Sequence, residues 1–256
     1  MGKDSNSSAD ACRFEASATM ANDIIQQQIE YYRARAREYD DWFYRQGRYD
    51  RGLELNDRWF AEVAVIQRAL HQLGPFDQIL ELACGTGLWT QELLQVGRRI
   101  TAIDASPEMI AINQQRLRAP NVQYQQNDLF GWEPDREYDL VFLGFWLSHV
   151  PPERLDSFLD KVRRSVQVAG QIFVVDSLFE GTSTANNHVL VEKGKNWQIR
   201  RLNDGREFQV VKVFYDPEEL AGKLARLGFE VSAQRSGNYF LYVAGTKTSP
   251  AVAQLN

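Results

Sequence analysis

The chain has few of the residues from which disulfide scaffolds and metal centres are built. Two cysteines, Cys12 and Cys84, and three histidines occur among 256 residues. Cys12 lies in a polar N-terminal stretch and Cys84 inside a glycine-rich loop, so we do not expect a disulfide between them. No group of His, Cys, Asp and Glu has the spacing of a metal site. The absence of such spacing predicts a protein without a bound metal. The absence of a disulfide predicts a cytoplasmic location, because the cytosol keeps thiols reduced.

Long apolar runs and an excess of positive charge are also absent. No segment is long and apolar enough to span a bilayer, and the polar residues 2–8 lack the apolar core of a signal peptide. Lys and Arg number 29 against 34 Asp and Glu, for a net charge of −5 at pH 7, so no general basic field would attract nucleic acid. We therefore predict neither a membrane nor a nucleic-acid partner. The oligomeric state does not follow from these features.

The most informative segment that is present runs from residue 79 to residue 104. An apolar strand pattern leads into Gly85-Thr86-Gly87, a helix pattern follows, and a second apolar strand ends at Asp104. Glycine lets the backbone approach a ligand closely, and a carboxylate can accept two hydroxyl hydrogens from a ribose. This order of strand, loop, helix, strand and acid predicts a nucleoside site.

The segments around this motif alternate between strand and helix patterns. Strands are predicted near 78–83, 99–103, 121–124, 138–144 and 171–176, with helices near 88–96, 107–118 and 152–167. Such alternation is typical of a parallel sheet with helices on both faces. Two final strands, near 229–235 and 238–245, flank a tight Ser236-Gly237 connection and should therefore be antiparallel.

The chain divides into four parts in this interpretation. We expect a flexible leader at 1–20, an N-terminal helical lid at 21–74, an α/β domain at 75–246 and a short tail at 247–256. The lid contains two amphipathic helix patterns, near 22–44 and 56–73. A β-hairpin centred on Asn203-Asp204-Gly205 should form a cap within 190–215.

The segment Glu81-Leu-Ala-Cys-Gly-Thr-Gly87 resembles motif I of the class I S-adenosylmethionine-dependent methyltransferases, in particular the small-molecule type. The resemblance covers roughly residues 76–246. It implies a Rossmann-like, doubly wound, seven-stranded sheet with an antiparallel last strand. The dinucleotide fingerprint would need a glycine where Thr90 stands, and the Glu81 carboxylate suits a cationic ligand better than a pyrophosphate.

The resemblance also implies a cofactor, S-adenosylmethionine, with S-adenosylhomocysteine as product, and a role for each matching position. Asp104 would bind the ribose hydroxyls, and Met109 would lie against the adenine ring. Ala83 stands where the family usually has glycine, which puts close backbone approach at that point in question. The remaining cofactor contacts would come from Tyr32, Glu81, Gly85, Gly87, Asn127, Asp128, Leu129 and Phe145.

His149 is the candidate catalytic residue, because it follows the fourth strand where the family places the transferred methyl group. A neutral imidazole could remove the proton from an O–H or N–H nucleophile, which is worth about 10²–10⁴-fold in rate. The alternative is a histidine at a helix start that bonds only to backbone.

Four residues are candidate substrate contacts: Tyr39, Trp146, His188 and Arg200. Arg200 belongs to a basic hairpin that also contains Arg201, Arg206 and Lys212. These charges form either a solvated face or a clamp for a carboxylate or phosphate on the substrate, a role that suits arginine.

The sequence therefore predicts methyl transfer from S-adenosylmethionine to an O or N nucleophile of a small molecule. No Asn/Asp-Pro-Pro-Tyr/Phe motif follows the fourth strand, which argues against the amino-methylating DNA enzymes of the family. Two cysteines are too few for its arsenic-methylating members. C-methylation of an activated ring, an NAD-type oxidoreductase and a catalytically silent cofactor-binding module remain as alternatives.

Overall fold

Residues 23–188 and 195–249 are described by a computed structural model of the chain. The strands in these two segments are β1 (Phe76–Leu82), β2 (Gly97–Asp104), β3 (Val122–Gln126), β4 (Tyr138–Gly144), β5 (Val166–Ser177), β6 (Trp197–Arg201), β7 (Glu207–Val211), β8 (Phe229–Arg235) and β9 (Phe240–Lys247). The helices are α1 (23–35), α2 (Tyr39–Phe43), α3 (Leu53–His71), α4 (Leu88–Leu93), α5 (Pro107–Leu117), α6 (Pro152–Ser165) and α7 (Pro217–Arg226). The predicted leader at 1–20 and tail residues 250–256 lie outside the described residues, as do residues 190–194 of the predicted cap.

Seven of the strands form one sheet in the order β3-β2-β1-β4-β5-β9-β8. Strands β1 to β5 pair in parallel, whereas β9 is antiparallel to both β5 and β8. The central strand β4 carries four consecutive apolar residues, Leu140 to Leu143, that are fully buried. Such a run is expected for a strand covered on both faces. The predicted Rossmann-like sheet with its antiparallel last strand is confirmed.

Two layers of helices cover this sheet. On one face, Leu155, Phe158 and Val162 of α6 pack with Leu220 of α7 against the strands. On the other face, α3, α4 and α5 supply the buried side chains Trp59, Ile66, Leu70, Leu93 and Ile110. In these described segments, no helix has both the length and the apolar character needed to cross a bilayer.

The lid helix bends where the sequence predicts a continuous helix over 22–44. Helix α1 ends at residue 35, a 3-10 turn spans Ala36–Glu38, and α2 follows. At the break Glu38 has φ −111° and ψ 6°, and its carboxylate accepts hydrogen bonds from Arg48 and from the backbone N–H of Asn203. Helix propensity is a weak preference that such tertiary contacts override.

The hairpin of β6 and β7 forms a separate two-stranded sheet, with Trp197 opposite Val211. Its second strand ends four residues before the predicted boundary at 215. After Val211 the backbone leaves the hairpin, and Val213 N–H donates to the carbonyl of Ser148 at 2.8 Å. The hairpin is thereby attached to the loop that follows β4.

Glu62 on α3 fixes the lid to the far edge of the sheet. Its buried carboxylate accepts hydrogen bonds from the hydroxyl of Ser236 at 2.7 Å and from the N–H groups of Asn238 and Tyr239, both at 2.9 Å. All three donors belong to the turn between β8 and β9. This contact sets the position of α3 relative to the sheet.

We expect Glu62→Ala to lower the free energy of unfolding by about 2–4 kcal/mol, because it leaves buried backbone donors without an acceptor. Glu54→Ala on the same helix is the matched control. Its 3.5 Å pair with Arg58 is exposed, so we expect a change below about 0.5 kcal/mol. Urea unfolding followed by circular dichroism measures both values, and equal effects would contradict this role of Glu62.

Candidate active site

The carboxyl ends of β1, β2 and β4 surround a cavity of about 650 Å³, which we call the first cavity. Ligands of open α/β sheets bind at this edge, where the strand order reverses. The cavity brings together most of the predicted site residues, namely Tyr32, Tyr39, Ala83, Gly85, Asp104, Met109, Asp128, Leu129, Phe145, Trp146 and His149. It is closed on one side by Gln28 and Ile29 of α1.

Asp104, which lines the first cavity, accepts hydrogen bonds from backbone donors of two loops. Its Oδ2 accepts from the N–H of Gly85 at 2.9 Å, and its Oδ1 accepts from the N–H of Ser106 at 2.9 Å. Burial raises the pKa of the carboxyl, and the hydrogen bonds oppose that rise. The geometry fixes a carboxylate beside the glycine loop with lone pairs left for ligand hydroxyls.

The backbone around the cavity adopts conformations that side chains usually avoid. Ala83 and Phe145, both on the cavity wall, have φ of 60° and 55°. Ala83 therefore takes the left-handed conformation that glycine favours, although it carries a methyl group. Gly87 has φ 92°, and a Cβ there would lie 2.5 Å from Oδ1 of Asn113. Only glycine fits that turn.

A smaller space of about 330 Å³, the third cavity, lies on the other side of the glycine loop. Glu81 lines it together with Ala83, Gly85 and Thr86. Burial raises the pKa of Glu81 to about 8, although a 2.6 Å hydrogen bond from the Thr90 hydroxyl acts in the opposite direction. A cationic ligand group beside Glu81 would favour its ionised form.

His149 is buried in a 3-10 turn after β4, and both of its ring nitrogens have partners. Nδ1 lies 2.6 Å from the carbonyl oxygen of Val211, which can only accept, so Nδ1 carries the proton. Nε2 therefore accepts from the Tyr32 hydroxyl at 2.7 Å. Burial, followed by the positive charge of Lys212, lowers the pKa of His149 well below its usual value. The imidazole is neutral and contacts Tyr32, which lines the cavity beside it.

A second cavity, of about 570 Å³, adjoins the first and shares Tyr32, Tyr39, Phe145 and His149 with it. Three cationic side chains line this second cavity: Arg35, Arg200 and Lys212. Lys212 donates to the Ser148 hydroxyl at 2.7 Å and pairs with Asp176 at 3.3 Å.

Neither Arg35 nor Arg200 forms an ion pair with any residue that the structure describes. Arg35 is 8% exposed and lies over the rings of Tyr31, Tyr39 and Tyr49. Its Nε has no hydrogen-bond partner within 23–188 and 195–249. A buried guanidinium without an acid is costly unless an anion completes its hydrogen bonds.

Five predicted residues, His188 among them, do not line the first cavity. Glu81 lines the third cavity, Arg200 the second, and Gly87 forms the turn described above. Asn127 has an exposed side chain, and its backbone N–H donates to the carbonyl of Asp104 at 3.0 Å.

His188 does not line any of these three cavities. Its Nε2 accepts from the N–H of Arg201 at 3.2 Å, and its Nδ1 lies 3.2 Å from Nη1 of Arg200. The local turn folds the ring against the hairpin backbone. In this position the ring contacts the guanidinium of Arg200.

Sequence reasoning missed two lining residues of the second cavity. In the sequence, Arg35 resembles any charged residue on the exposed face of a helix. The available signal is its spacing of four residues from both Tyr31 and Tyr39, which places the three side chains on one helix face. Lys212 was included only as a basic hairpin residue, and its burial depends on Asp176 from β5. Nothing in the local sequence indicates that pairing.

Comparison with known proteins agrees with this site. A methyltransferase-domain family matches residues 79–170. The solved structure of a DhpI–SAH complex is 34% identical, with a TM-score of 0.72, and the match covers 90% of this chain and 99% of that one. A DhpI–SAM–HEP complex is 35% identical, with a TM-score of 0.71 and coverage of 87% and 97%.

Among curated proteins, trans-aconitate 2-methyltransferase of Escherichia coli O7:K1 is 36% identical over 167 residues, which is 64% of this chain and 60% of that enzyme. Uncharacterised methyltransferases of Staphylococcus carnosus and Synechocystis are 30% and 32% identical, and the chain matches about half of their length, 48% and 49%. The chain belongs to the class I S-adenosylmethionine-dependent methyltransferases.

S-adenosylmethionine is the cofactor of this family, and the residues at the first and third cavities fit it. Asp104 is fixed for a ribose, Met109 offers an apolar surface for the base, and Glu81 lies beyond the glycine loop. The buried indole N–H of Trp146, on the wall of the first cavity, lacks a hydrogen-bond partner in the described parts of the chain. A polar ligand atom in the first cavity could accept a hydrogen bond from this N–H. No group of three His, Cys, Asp or Glu in these parts is arranged to hold a metal ion.

We expect Asp104→Ala to weaken binding of S-adenosylhomocysteine by about 100-fold or more, because two hydrogen bonds from ribose to a charged acceptor are lost. Isothermal titration calorimetry measures this directly. Asp77→Ala is the control, since Asp77 pairs with Arg98 and Arg99 at the opposite end of the strands. An affinity for Asp104→Ala equal to that of the control would contradict the ribose assignment.

Proposed function

We propose that the protein transfers the methyl group of S-adenosylmethionine to an oxygen of a small molecule that carries an anionic group, such as a carboxylate or phosphate. The observation that carries this proposal is the buried guanidinium of Arg35, which has no acid partner among the described residues and lines the cavity next to the cofactor site. Arg200 and Lys212 add positive charge to the same space.

The relatives support an acidic substrate. The name of the Escherichia coli relative identifies trans-aconitate, a carboxylate, as the molecule that enzyme methylates. The DhpI–SAM–HEP complex holds SAM together with HEP in a structure that matches 87% of this chain. Both comparisons support small-molecule methylation over the alternative classes.

The cofactor supplies an electrophilic sulfonium methyl when bound. The chain then has to align an acceptor oxygen with that methyl and keep water out, and alignment alone can be worth effective molarities of about 10⁵–10⁸ M. Arg35 and Arg200 would hold the acid group of the substrate. Tyr39 and Phe145 line all three cavities and would border the place where acceptor and cofactor meet.

Tyr32 and His149 would handle a proton if the acceptor oxygen carries one. The acceptor O–H would give its proton to the Tyr32 oxygen while the Tyr32 hydroxyl gives its own to Nε2 of His149, which leaves an imidazolium. His149 would thus act through Tyr32 rather than directly on the substrate. An acceptor that is already ionised would need only the orientation that this pair provides.

We further propose that α1 to α3 act as the lid and the β6–β7 hairpin as the cap of this site. Gln28 of α1 donates to the carbonyl of His149 at 3.1 Å and accepts from the N–H of Val211 at 3.0 Å. We also propose the cytoplasm as its location, because Cys84 is a buried free thiol and Cys12 is its one companion in the sequence.

The alternative classes differ in what they predict. An NAD-type oxidoreductase would be stabilised by NAD rather than by S-adenosylhomocysteine in a thermal-shift assay. A catalytically silent module would bind S-adenosylhomocysteine yet methylate nothing. A C-methyltransferase would methylate activated rings but not acids.

Removing positive charge from the second cavity should raise KM for an acidic acceptor. We expect Arg35→Met and Arg200→Met each to raise KM by about 10–100-fold, the equivalent of one lost hydrogen bond to a charged group. Formation of S-adenosylhomocysteine from a panel of small carboxylates and phosphates is the assay. Arg201→Met is the control, since Arg201 forms an exposed pair with Glu207. Unchanged KM values in both variants would eliminate the acidic substrate.

The rate should not depend on ionisation of His149 near neutral pH. Burial holds its pKa well below 6.5, so the imidazole stays neutral from pH 6 to 8 and would gain a proton only in more acidic solution. We expect kcat/KM to show no ascending limb near pH 6.5. A limb at that pH that disappears in His149→Asn would show that the imidazole titrates normally.

A further inference from the structure

A line of buried hydrogen bonds connects the surface of the sheet to Glu81. The Tyr124 hydroxyl on β3 donates to Oδ1 of Asn113 at 2.7 Å. Nδ2 of Asn113 on α5 donates to the Thr90 hydroxyl at 2.9 Å. The Thr90 hydroxyl on α4 donates to Oε2 of Glu81 at 2.6 Å. Three elements that are distant in sequence thus converge on one carboxylate at the end of β1.

Every bond of this chain has the same direction. Each donor gives its hydrogen toward Glu81, so the chain ends on an oxygen that must accept. Hydrogen bonds aligned in this way strengthen one another and favour the charged form of the acceptor at their end. Asn113 and Thr90 are fully buried and Glu81 is nearly so, so no solvent competes for these bonds.

The same asparagine also braces the glycine loop. Nδ2 of Asn113 lies 3.5 Å from the carbonyl of Gly85, and its Oδ1 occupies the position where a side chain on Gly87 would be. The hydrogen-bond chain therefore contacts two residues that line the third cavity, Gly85 and Glu81. None of its three donors lines any of the cavities.

We propose that Tyr124, Asn113 and Thr90 are positioning residues that orient the Glu81 carboxylate and favour its charged form for the ammonium group of S-adenosylmethionine. Affinity for the amino-acid arm of the cofactor would then depend on a tyrosine three hydrogen bonds away. This inference rests on the cofactor assignment and is independent of the identity of the methyl acceptor.

The groups around Glu81 favour its neutral form, and the hydrogen bond from Thr90 opposes them. Burial, with a smaller contribution from the charge of Asp104 at the end of β2, raises its pKa to about 8, and only the hydrogen bond from Thr90 acts to lower it. Burial also keeps the Cys84 thiol and the Tyr124 phenol neutral, because their pKa values lie above the usual ones. No cation among these neighbours offsets Asp104. The positive charge that would balance Glu81 and Asp104 is the ammonium group of the cofactor.

Calorimetry with two ligands tests the proposal. S-adenosylhomocysteine has the amino-acid arm, whereas 5′-methylthioadenosine has the same nucleoside without it. At pH 7 we expect Thr90→Val to bind S-adenosylhomocysteine about 10-fold more weakly, because a pKa raised by one unit leaves one-tenth as much ionised Glu81. The loss should shrink above pH 9. Binding of 5′-methylthioadenosine should not change.

Three further variants sharpen the result. Tyr124→Phe should give the same pH trend with a smaller loss, about 2- to 3-fold, since it removes only the remote end of the chain. Thr90→Ser keeps the hydroxyl and should restore binding. Tyr138→Phe is the matched control, because the Tyr138 hydroxyl bonds to Asp135 and not to this chain.

Two results would overturn the proposal. One is equal affinity of wild type, Thr90→Val and Tyr124→Phe for S-adenosylhomocysteine at every pH. The other is an equal loss for both ligands, which would mean that the hydroxyls only maintain packing. If the wild type binds neither ligand, the cofactor assignment itself fails and this inference with it.

Discussion

The hydrogen bonds that Asp104 accepts from the N–H groups of Gly85 and Ser106 hold this site together. They join the end of β2 to the glycine loop that follows β1, so two adjacent strand ends share one fixed carboxylate. The left-handed conformations of Ala83 and Gly87 turn the chain sharply enough to make this possible. Because parallel strands end at a common edge, the same turn opens the space between β1 and β4 where the cofactor cavities lie.

His149 shows how the distant segments complete the site. Its Nδ1 bonds to the hairpin, its Nε2 to Tyr32 of α1, and its carbonyl to Gln28 of the same helix. Helix α1, the β6–β7 hairpin and the loop after β4 therefore meet at one residue, and each fixes the others. A neutral imidazole is the consequence, since burial between three elements makes its protonation costly.

The distribution of charge separates the two halves of the site. The cofactor side carries carboxylates, Glu81 and Asp104, which suits a cationic sulfonium and ammonium. The adjoining cavity carries Arg35, Arg200 and Lys212, of which Lys212 is paired with Asp176. Opposite charges on neighbouring walls favour a cation and an anion placed side by side, which is the arrangement that methyl transfer to an acid requires.

The sequence by itself determined the sheet and most of its helices, and it predicted most of the residues that the first cavity brings together. Strand and helix periodicity, the Gly85-Thr86-Gly87 turn and Asp104 are local signals, and their order along the chain fixes which strand ends meet. Tertiary structure alone decided the bend of the lid helix at Glu38, the burial of Arg35 and the place of His188 behind Arg200. The bend depends on the contact of Glu38 with Asn203, 165 positions away. The burial of Arg35 and the place of His188 depend on how α1 and the β6–β7 hairpin pack together, which no local pattern encodes.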